Sequence, residues 1–132
     1  MTKITHNEIP LLSDEEREKR LLSTAGFARR AGKIAMGTQL LCESMRRKEV
    51  LLVIEAADTS DNTHKRITDK AAFYHVPYVR LSTVTSAMMG AAFGKSGLLS
   101  AVGITEEGFV RACRKYLLET TPSEEKQNPN NK

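Results

Sequence analysis

The sequence predicts an α/β protein: a single three-layer α/β/α sandwich built around a four-stranded mixed sheet. Short aliphatic runs bounded by polar residues, of which VLLVI at 50–54 is the clearest, are typical of strands covered on both faces. Segments with apolar residues at helical spacing lie between these runs. Alternation of this kind favours a mixed or parallel sheet with helices on both of its faces.

Five helices and four strands are expected in the order α-β-α-β-α-β-α-β-α. The first helix follows the capping box S-D-E-E at 13–16, and the third ends before Val76-Pro77 because proline disfavours helix in the residue that precedes it. The predicted helices cover about 14–31, 38–47, 61–74, 82–93 and 105–118. The predicted strands cover 33–36, 50–54, 78–81 and 98–104.

A buried face or a cap is predicted for three further helices. Ile67, Ala71 and Tyr74 form the inner face of the third helix. The buried stripe of the last helix is expected at Phe109, Cys113 and Leu117, and Thr38 is expected to cap the second helix. Residues 1–12 are predicted to be a loose leader, residues 13–120 a single domain, and the polar segment 121–132 a disordered tail.

The stretch 26–43, GFARRAGKIAMGTQLLCE, combines two glycine breaks with basic residues. Gly32 suits a left-handed cap for the first helix, and Gly37 introduces the second helix. A helix N-terminus reached through glycine presents free backbone N–H groups to a phosphate or a base edge. Because Arg29, Arg30 and Lys33 precede this break, we expect a basic collar around the helix tip.

Composition indicates a basic protein with a concentrated positive charge. The chain has 132 residues, a net charge of +4 and a sequence pI near 9.2. Nine lysine or arginine residues lie between Arg17 and Lys48, against the two acids Glu18 and Glu43. A basic run is often only a solvated face, so its weight as evidence for an anionic partner is modest.

Several other classes of protein receive no support from the residues. The amino-terminal residues show no apolar signal region, and no apolar run approaches the ~20 residues of a membrane helix, so a cytoplasmic protein is expected. Cys42 and Cys113 are read as buried hydrophobes in a reducing compartment. The scattered histidines predict no metal site. The sequence therefore predicts no cofactor, no metal and no enzymatic activity.

One motif resembles a nucleotide-binding loop and fails its requirements. The segment 90–96, GAAFGKS, has three residues between its glycines where a P-loop has four, and a helix is expected before it and a strand after it. A glycine-flanked turn between helix and strand is the preferred interpretation. Asp58, Asp61 and Asp69, spread over a loop and a helix, are expected to cap and pair.

Taken together, GFARRAGKIAMG, EAADTSDNTHKRITDKAAFYHVPY, MGAAFGK and EEGF resemble the ribosomal protein L7Ae/L30e superfamily, and within it the bacterial YlxQ-like branch. The resemblance covers about 21–118. It implies the same α/β/α sandwich and a non-enzymatic protein of the translation machinery. The best-known members bind RNA kink-turns, which are sharply bent internal loops with tandem sheared G·A pairs, so RNA, in particular structured ribosomal RNA, is the implied partner.

The resemblance also implies where RNA would bind, in three segments and at several basic residues. The implied positions are Gly37, Thr38, Gln39, Leu40 and Glu43, then Ala57 and Asp58, then Lys95, Ser96, Gly97 and Leu98. Arg29, Arg30, Lys33, Lys65, Arg66 and Lys95 are possible phosphate contacts. Together they predict binding with relaxed specificity, since phosphate contacts carry no sequence information.

Three positions depart from the pattern of kink-turn binders. Gln39 stands in place of asparagine, Leu40 in place of glutamate, and Glu43 in place of lysine. One lost bidentate base contact costs ~1–3 kcal/mol of discrimination. Leu40 is expected to face the core. A second hypothesis, in which Leu40 is exposed, is a protein-interaction module on the same fold that has lost its RNA site.

Overall fold

Helices and strands alternate along residues 12–117, which are the residues that this computed structural model describes. The helices are α1 (Asp14–Arg30), α2 (Thr38–Arg46), α3 (Asp61–Phe73), α4 (Ser86–Ala92) and α5 (Glu107–Arg114). The strands are β1 (Ile34–Met36), β2 (Leu52–Glu55), β3 (Tyr78–Arg80) and β4 (Ala101–Ile104). The predicted leader, apart from Leu12, and the predicted tail lie outside the described residues.

The four strands form a mixed sheet, as predicted, and their order is β1-β4-β2-β3. Strand β4 is antiparallel to both β1 and β2, and β3 is parallel to β2. The ends of β1, β2 and β3 therefore lie at the same edge as the start of β4. We call this edge the upper end of the sheet; it is formed by residues 37–38, 56–60, 81–85 and 98–100.

Both faces of the sheet are covered, which gives the three layers. Helices α1, α4 and α5 pack on one face with Leu52 and Ile54, while α2 and α3 pack on the other face with Val53. Successive residues of a strand point to opposite faces, so β2 is buried along its whole length. The aliphatic run at 50–54 reflects this double burial.

The helix starts follow local capping chemistry. The Ser13 hydroxyl accepts a hydrogen bond from the Glu16 N–H at 3.1 Å, which confirms the predicted cap of α1. Ser60 does the same for α3, accepting from the Thr63 N–H at 3.2 Å. As predicted, Ile67 and Ala71 face the core.

Helix α4 begins at Ser86, later than the predicted Ser82 or Thr83. The N–H groups of Ser82 and Thr83 donate to the buried Glu18 carboxylate at 2.9 and 2.8 Å, and these bonds hold both residues in a turn. The Thr85 hydroxyl caps the helix instead, accepting from the Met88 N–H at 3.2 Å. A contact between residues so distant in sequence leaves no local signal.

One other predicted boundary is wrong, and one predicted buried face differs at a single residue. Strand β4 begins at Ala101 rather than at 98, because the Leu99 N–H donates to the Ser86 carbonyl oxygen at 3.0 Å and holds this segment against α4. Of the predicted buried stripe of the last helix, Cys113 and Leu117 are buried as expected, whereas Phe109 is only partly buried and Val110 is buried beside it. Burial raises the pKa of the Cys113 thiol to about 11, which keeps it protonated.

Helix α2 lies close to the sheet because Gly103 has no side chain. A Cβ atom at Gly103 would lie 2.6 Å from Leu41 Cδ1 and 2.8 Å from Val50 Cγ1. Gly103 pairs with Ala35 of β1 and Val53 of β2, so it occupies the centre of the sheet. The close approach sets the height of α2 above β4.

Candidate nucleic-acid interface

The tip of α2 is open at the upper end of the sheet. Gly37 is its N-cap, with φ +96°, a conformation that favours glycine, and its N–H donates to the Ala101 carbonyl oxygen at 3.0 Å. Thr38 is the first helical residue rather than the cap, so the predicted Thr38 cap is wrong. Among the described residues no side chain caps this helix. Its first-turn N–H groups therefore remain available to an acceptor.

The loop after β2 lies beside this tip and is held by backbone hydrogen bonds. The Ala56 N–H donates to the Ser100 carbonyl oxygen, and the Ala57 N–H donates to that of Val84, both at 2.8 Å. The Asp58 carboxylate accepts from the Ser86 N–H at 2.7 Å, and this bond holds the pKa of Asp58 below its usual value. Asp58 thus stabilises the start of α4, as expected of a capping residue.

The third predicted segment, 95–98, is exposed on the α4 side of the upper end. A Cβ atom at Gly90 would collide with the Gly97 carbonyl oxygen, so the turn packs directly against α4. The guanidinium of Arg29 lies 3.5 Å from where a Cβ atom at Gly94 would be placed. The structure therefore brings Arg29 and Lys95 to the same turn.

Leu40 is exposed, and the expectation that it faces the core is wrong. Its exposed fraction is 46%, whereas Leu41 and Met45 are fully buried and carry the packing of α2. Leu98, immediately before the buried Leu99, is 71% exposed. Two large apolar side chains are thus presented to solvent by segments of the upper end.

Not all of the predicted basic residues surround the helix tip. The Lys33 carbonyl oxygen accepts from the Thr105 N–H at 3.0 Å, at the opposite end of β1 from Gly37, so the predicted collar is wrong for Lys33. Lys65 is 76% exposed and forms an ion pair with Asp69 at 2.9 Å. The Arg30 guanidinium stacks over the Phe27 ring at 4.6 Å.

Arg66 lies elsewhere, in a groove between α2 and α3. Gln39 and Glu43 line the same groove from α2. Gln39 and Glu43, both predicted to contact RNA, therefore lie near Arg66, a predicted phosphate contact.

A buried carboxylate that sequence reasoning missed supports the upper end. Glu55, the last residue of β2, is fully buried; it accepts a hydrogen bond from the Tyr78 hydroxyl at 2.6 Å and lies 2.9 Å from His64 Nδ1. Arg80 Nε lies 3.6 Å from the same carboxylate. Burial raises the pKa of the Tyr78 hydroxyl above its usual range, and the bond to Glu55 raises it further, so it stays a donor.

Arg80 connects the buried Glu55 carboxylate to the loop after β2. Its Nη2 donates to the carbonyl oxygens of Ala57 at 3.2 Å and Thr59 at 3.0 Å. Glu55 and Arg80 are paired in the parallel register of β2 and β3. The sequence carries one signal for this pair: an acidic residue ends one strand and a basic residue ends the next. Because neighbouring parallel strands end at the same edge of the sheet, the two residues lie close together.

Neither a metal centre nor a membrane-spanning helix is found within residues 12–117. No group of three or more histidine, cysteine, aspartate or glutamate side chains there could hold a metal ion. None of the helices in that range has the length and apolar character needed to cross a bilayer.

Comparison with known proteins identifies the family. Residues 19–114 match the Ribosomal protein L7Ae/L30e/S12e/Gadd45 family. The chain belongs to this family. The match begins within α1 and ends at the last residue of α5, so it takes in every strand of the sheet. The resemblance noted in the sequence is thereby confirmed.

Two curated relatives lie within the YlxQ-like branch of the family. The RNA-binding protein YlxQ of Bacillus subtilis (strain 168) is 36% identical over 84 residues, which are 64% of this chain and 81% of the relative. The RNA-binding protein YlxQ of Enterococcus faecium is 29% identical over 104 residues, which are 79% of this chain and 97% of the relative. The prediction of a non-enzymatic protein agrees with both names.

Two solved structures share the fold. A protein with unknown function from Bacillus halodurans has a TM-score of 0.66 at 28% identity, over 74% of this chain and 95% of that one. The Giardia lamblia 15.5kD RNA binding protein has a TM-score of 0.67 at 20% identity, over 82% and 90% of the two chains. The second likeness shows the common fold only.

Replacing Glu55 by alanine should lower the free energy of unfolding by about 3 kcal/mol, because removing one partner of a buried ionic cluster leaves the others uncompensated. The exposed Glu49, paired with Arg47 at 3.3 Å, is the matched control. Glu49→Ala should change stability by less than about 0.5 kcal/mol. Urea denaturation of both variants measures the difference. Equal effects would show that Glu55 does not anchor the loop.

Proposed function

We propose that this chain is a non-enzymatic, cytoplasmic RNA-binding protein that binds structured RNA, in particular ribosomal RNA, as a monomer and with relaxed specificity. The RNA would contact the upper end of the sheet, at the tip of α2 and at the segments 57–58 and 95–98. The proposal combines the family, the names of its relatives and the chemistry of this surface.

The open tip of α2 is the observation that carries the proposal. Gly37 brings the chain into the helix without a capping side chain, so the backbone N–H groups and the positive end of the helix dipole face solvent. Thr38 is only partly buried, and Gln39 is exposed. Such a tip accepts a phosphate oxygen or a base edge without any side-chain rearrangement.

The side chains around the tip favour affinity over sequence discrimination. Arg29 and Lys95 supply positive charge at the turn 94–97, and phosphate contacts of this kind position RNA without reading it. The exposed Leu40 offers an apolar surface where kink-turn binders carry a glutamate acceptor. Glu43 places a negative charge where they carry lysine. Both departures support relaxed specificity.

The exposed leucines also favour a second candidate, a protein-interaction module. Leu40 and Leu98 are exposed at 46% and 71%, and Met88 on α4 is exposed at 48%. Apolar side chains presented from the same end of a sheet suit a protein partner as well as an unstacked base. The two functions differ in their response to salt.

Binding to RNA should weaken steeply as salt rises. For a kink-turn RNA and a duplex of equal length, the logarithm of affinity should fall by about 0.7–0.9 per neutralised phosphate for each unit of log salt. With relaxed specificity, the two RNAs should differ by less than about tenfold. Fluorescence anisotropy between 50 and 200 mM salt, as in common practice, measures both quantities. No binding at the lowest salt would favour the protein-interaction module.

Restoring the side chains of kink-turn binders should restore selectivity. The double substitution Leu40→Glu and Glu43→Lys should raise affinity for the kink-turn RNA relative to the duplex by about tenfold, because one good base contact is worth ~1–3 kcal/mol. Glu107→Gln on α5 changes net charge by the same +1 and is the control. An equal gain for both RNAs, or no gain, would show that α2 does not face the RNA.

A further inference from the structure

The groove between α2 and α3 contains a cluster of basic side chains. It has a volume of about 260 Å³. Its walls come from both helices and consist of Gln39, Cys42, Glu43, Arg46, Arg66 and Lys70. Cys42 is only 4% exposed and forms the floor, so the charged residues form the rims.

The topology of the sheet makes this groove a continuation of the upper end. Helix α2 follows β1 and α3 follows β2, so both helices start at the upper end and run down the same face. Between Gln39 and Arg46 the helix rises about 10 Å. That length accommodates a short stretch of a single RNA strand. A strand leaving the tip of α2 would enter the groove directly.

The three cations of the groove have no acidic partner within the described part of the chain. Arg46, Arg66 and Lys70 take part in no ion pair among residues 12–117, although Glu43 lines the same groove. By contrast, Lys65 on α3 pairs with Asp69, and Arg47 at the end of α2 pairs with Glu49. Three positive charges and one negative charge leave the groove with a net charge of +2.

We propose that this groove is a second phosphate-binding surface, which holds the sugar-phosphate backbone of the RNA strand that leaves the tip of α2. The inference rests on the proposed RNA-binding function and adds the path of the strand. Arg46, Arg66 and Lys70 contact successive phosphates. These cations compensate for the charge reversal at Glu43, because the positive charge is supplied one helix turn further on and from the neighbouring helix.

The double substitution Arg66→Gln and Lys70→Gln tests the groove. The control is the pair Arg20→Gln and Arg111→Gln, which removes the same charge from exposed residues that already have acidic partners. With a kink-turn RNA carrying both stems, the salt slope of the groove variant should fall by about 1.4–1.8, which is about 0.7–0.9 for each lost phosphate contact. The slope of the control variant should stay within about 0.5 of the unaltered chain.

A third variant tests the role of Glu43. Glu43→Gln removes the one acid of the groove and should raise RNA affinity by about two- to fivefold at low salt, a gain typical of one exposed charge interaction. Circular dichroism establishes that each variant is folded. The gain should disappear in the background of the Arg66→Gln and Lys70→Gln variant if all three residues face the same phosphates.

The outcomes separate this inference from the proposed function. If the unaltered chain binds RNA and the groove and control variants lose the same slope, the groove is not on the RNA path, and only this inference fails. A groove variant whose salt slope equals that of the unaltered chain would also overturn only this inference. That result is expected if the groove binds an acidic protein segment instead of RNA. No RNA binding by the unaltered chain would overturn both proposals.

Discussion

The placement of α2 against the centre of the sheet is the constraint on which the candidate site depends. Gly103 leaves room for Leu41 and Val50, and the Gly37 N–H is bonded to the Ala101 carbonyl oxygen, so the helix is fixed to β4 both along its side and at its tip. A side chain at the centre of β4 would lift the helix, because both neighbours are buried and cannot move into solvent. The open tip is therefore held by packing rather than by a cap.

The polar groups of the upper end perform the same task for the loop after β2 and for the turn before α4. Glu55 and Arg80 tie the loop after β2 to the end of β3, and Asp58 ties it to the start of α4. Glu18 holds the turn before α4 through four hydrogen bonds to Ser82 and Thr83. The buried charges thus serve to fix loops, while Arg29 and Lys95 at the turn 94–97 and the three cations between α2 and α3 lie outside these buried clusters.

Much of this architecture could be predicted from the sequence, because the aliphatic runs, the capping box at Ser13 and the proline at 77 are local signals that match the fold. The start of α4 could not be, since it depends on Glu18, more than 60 residues away. For the candidate site, the family resemblance placed the segments, but it did not show that Leu40 is exposed or that Lys33 lies at the far end of β1. Those facts depend on the strand order, which no single segment encodes.

Mapping backbone amide chemical shifts during titration with a kink-turn RNA tests the location of the binding surface most directly. The largest changes should fall on the amides of Thr38, Gln39, Ala57 and Leu98, with smaller changes along the facing sides of α2 and α3. Amides of α5 and of Lys33 at the lower end of the sheet should be unaffected. Changes concentrated on α5 or around Lys33, with the tip of α2 silent, would contradict this location.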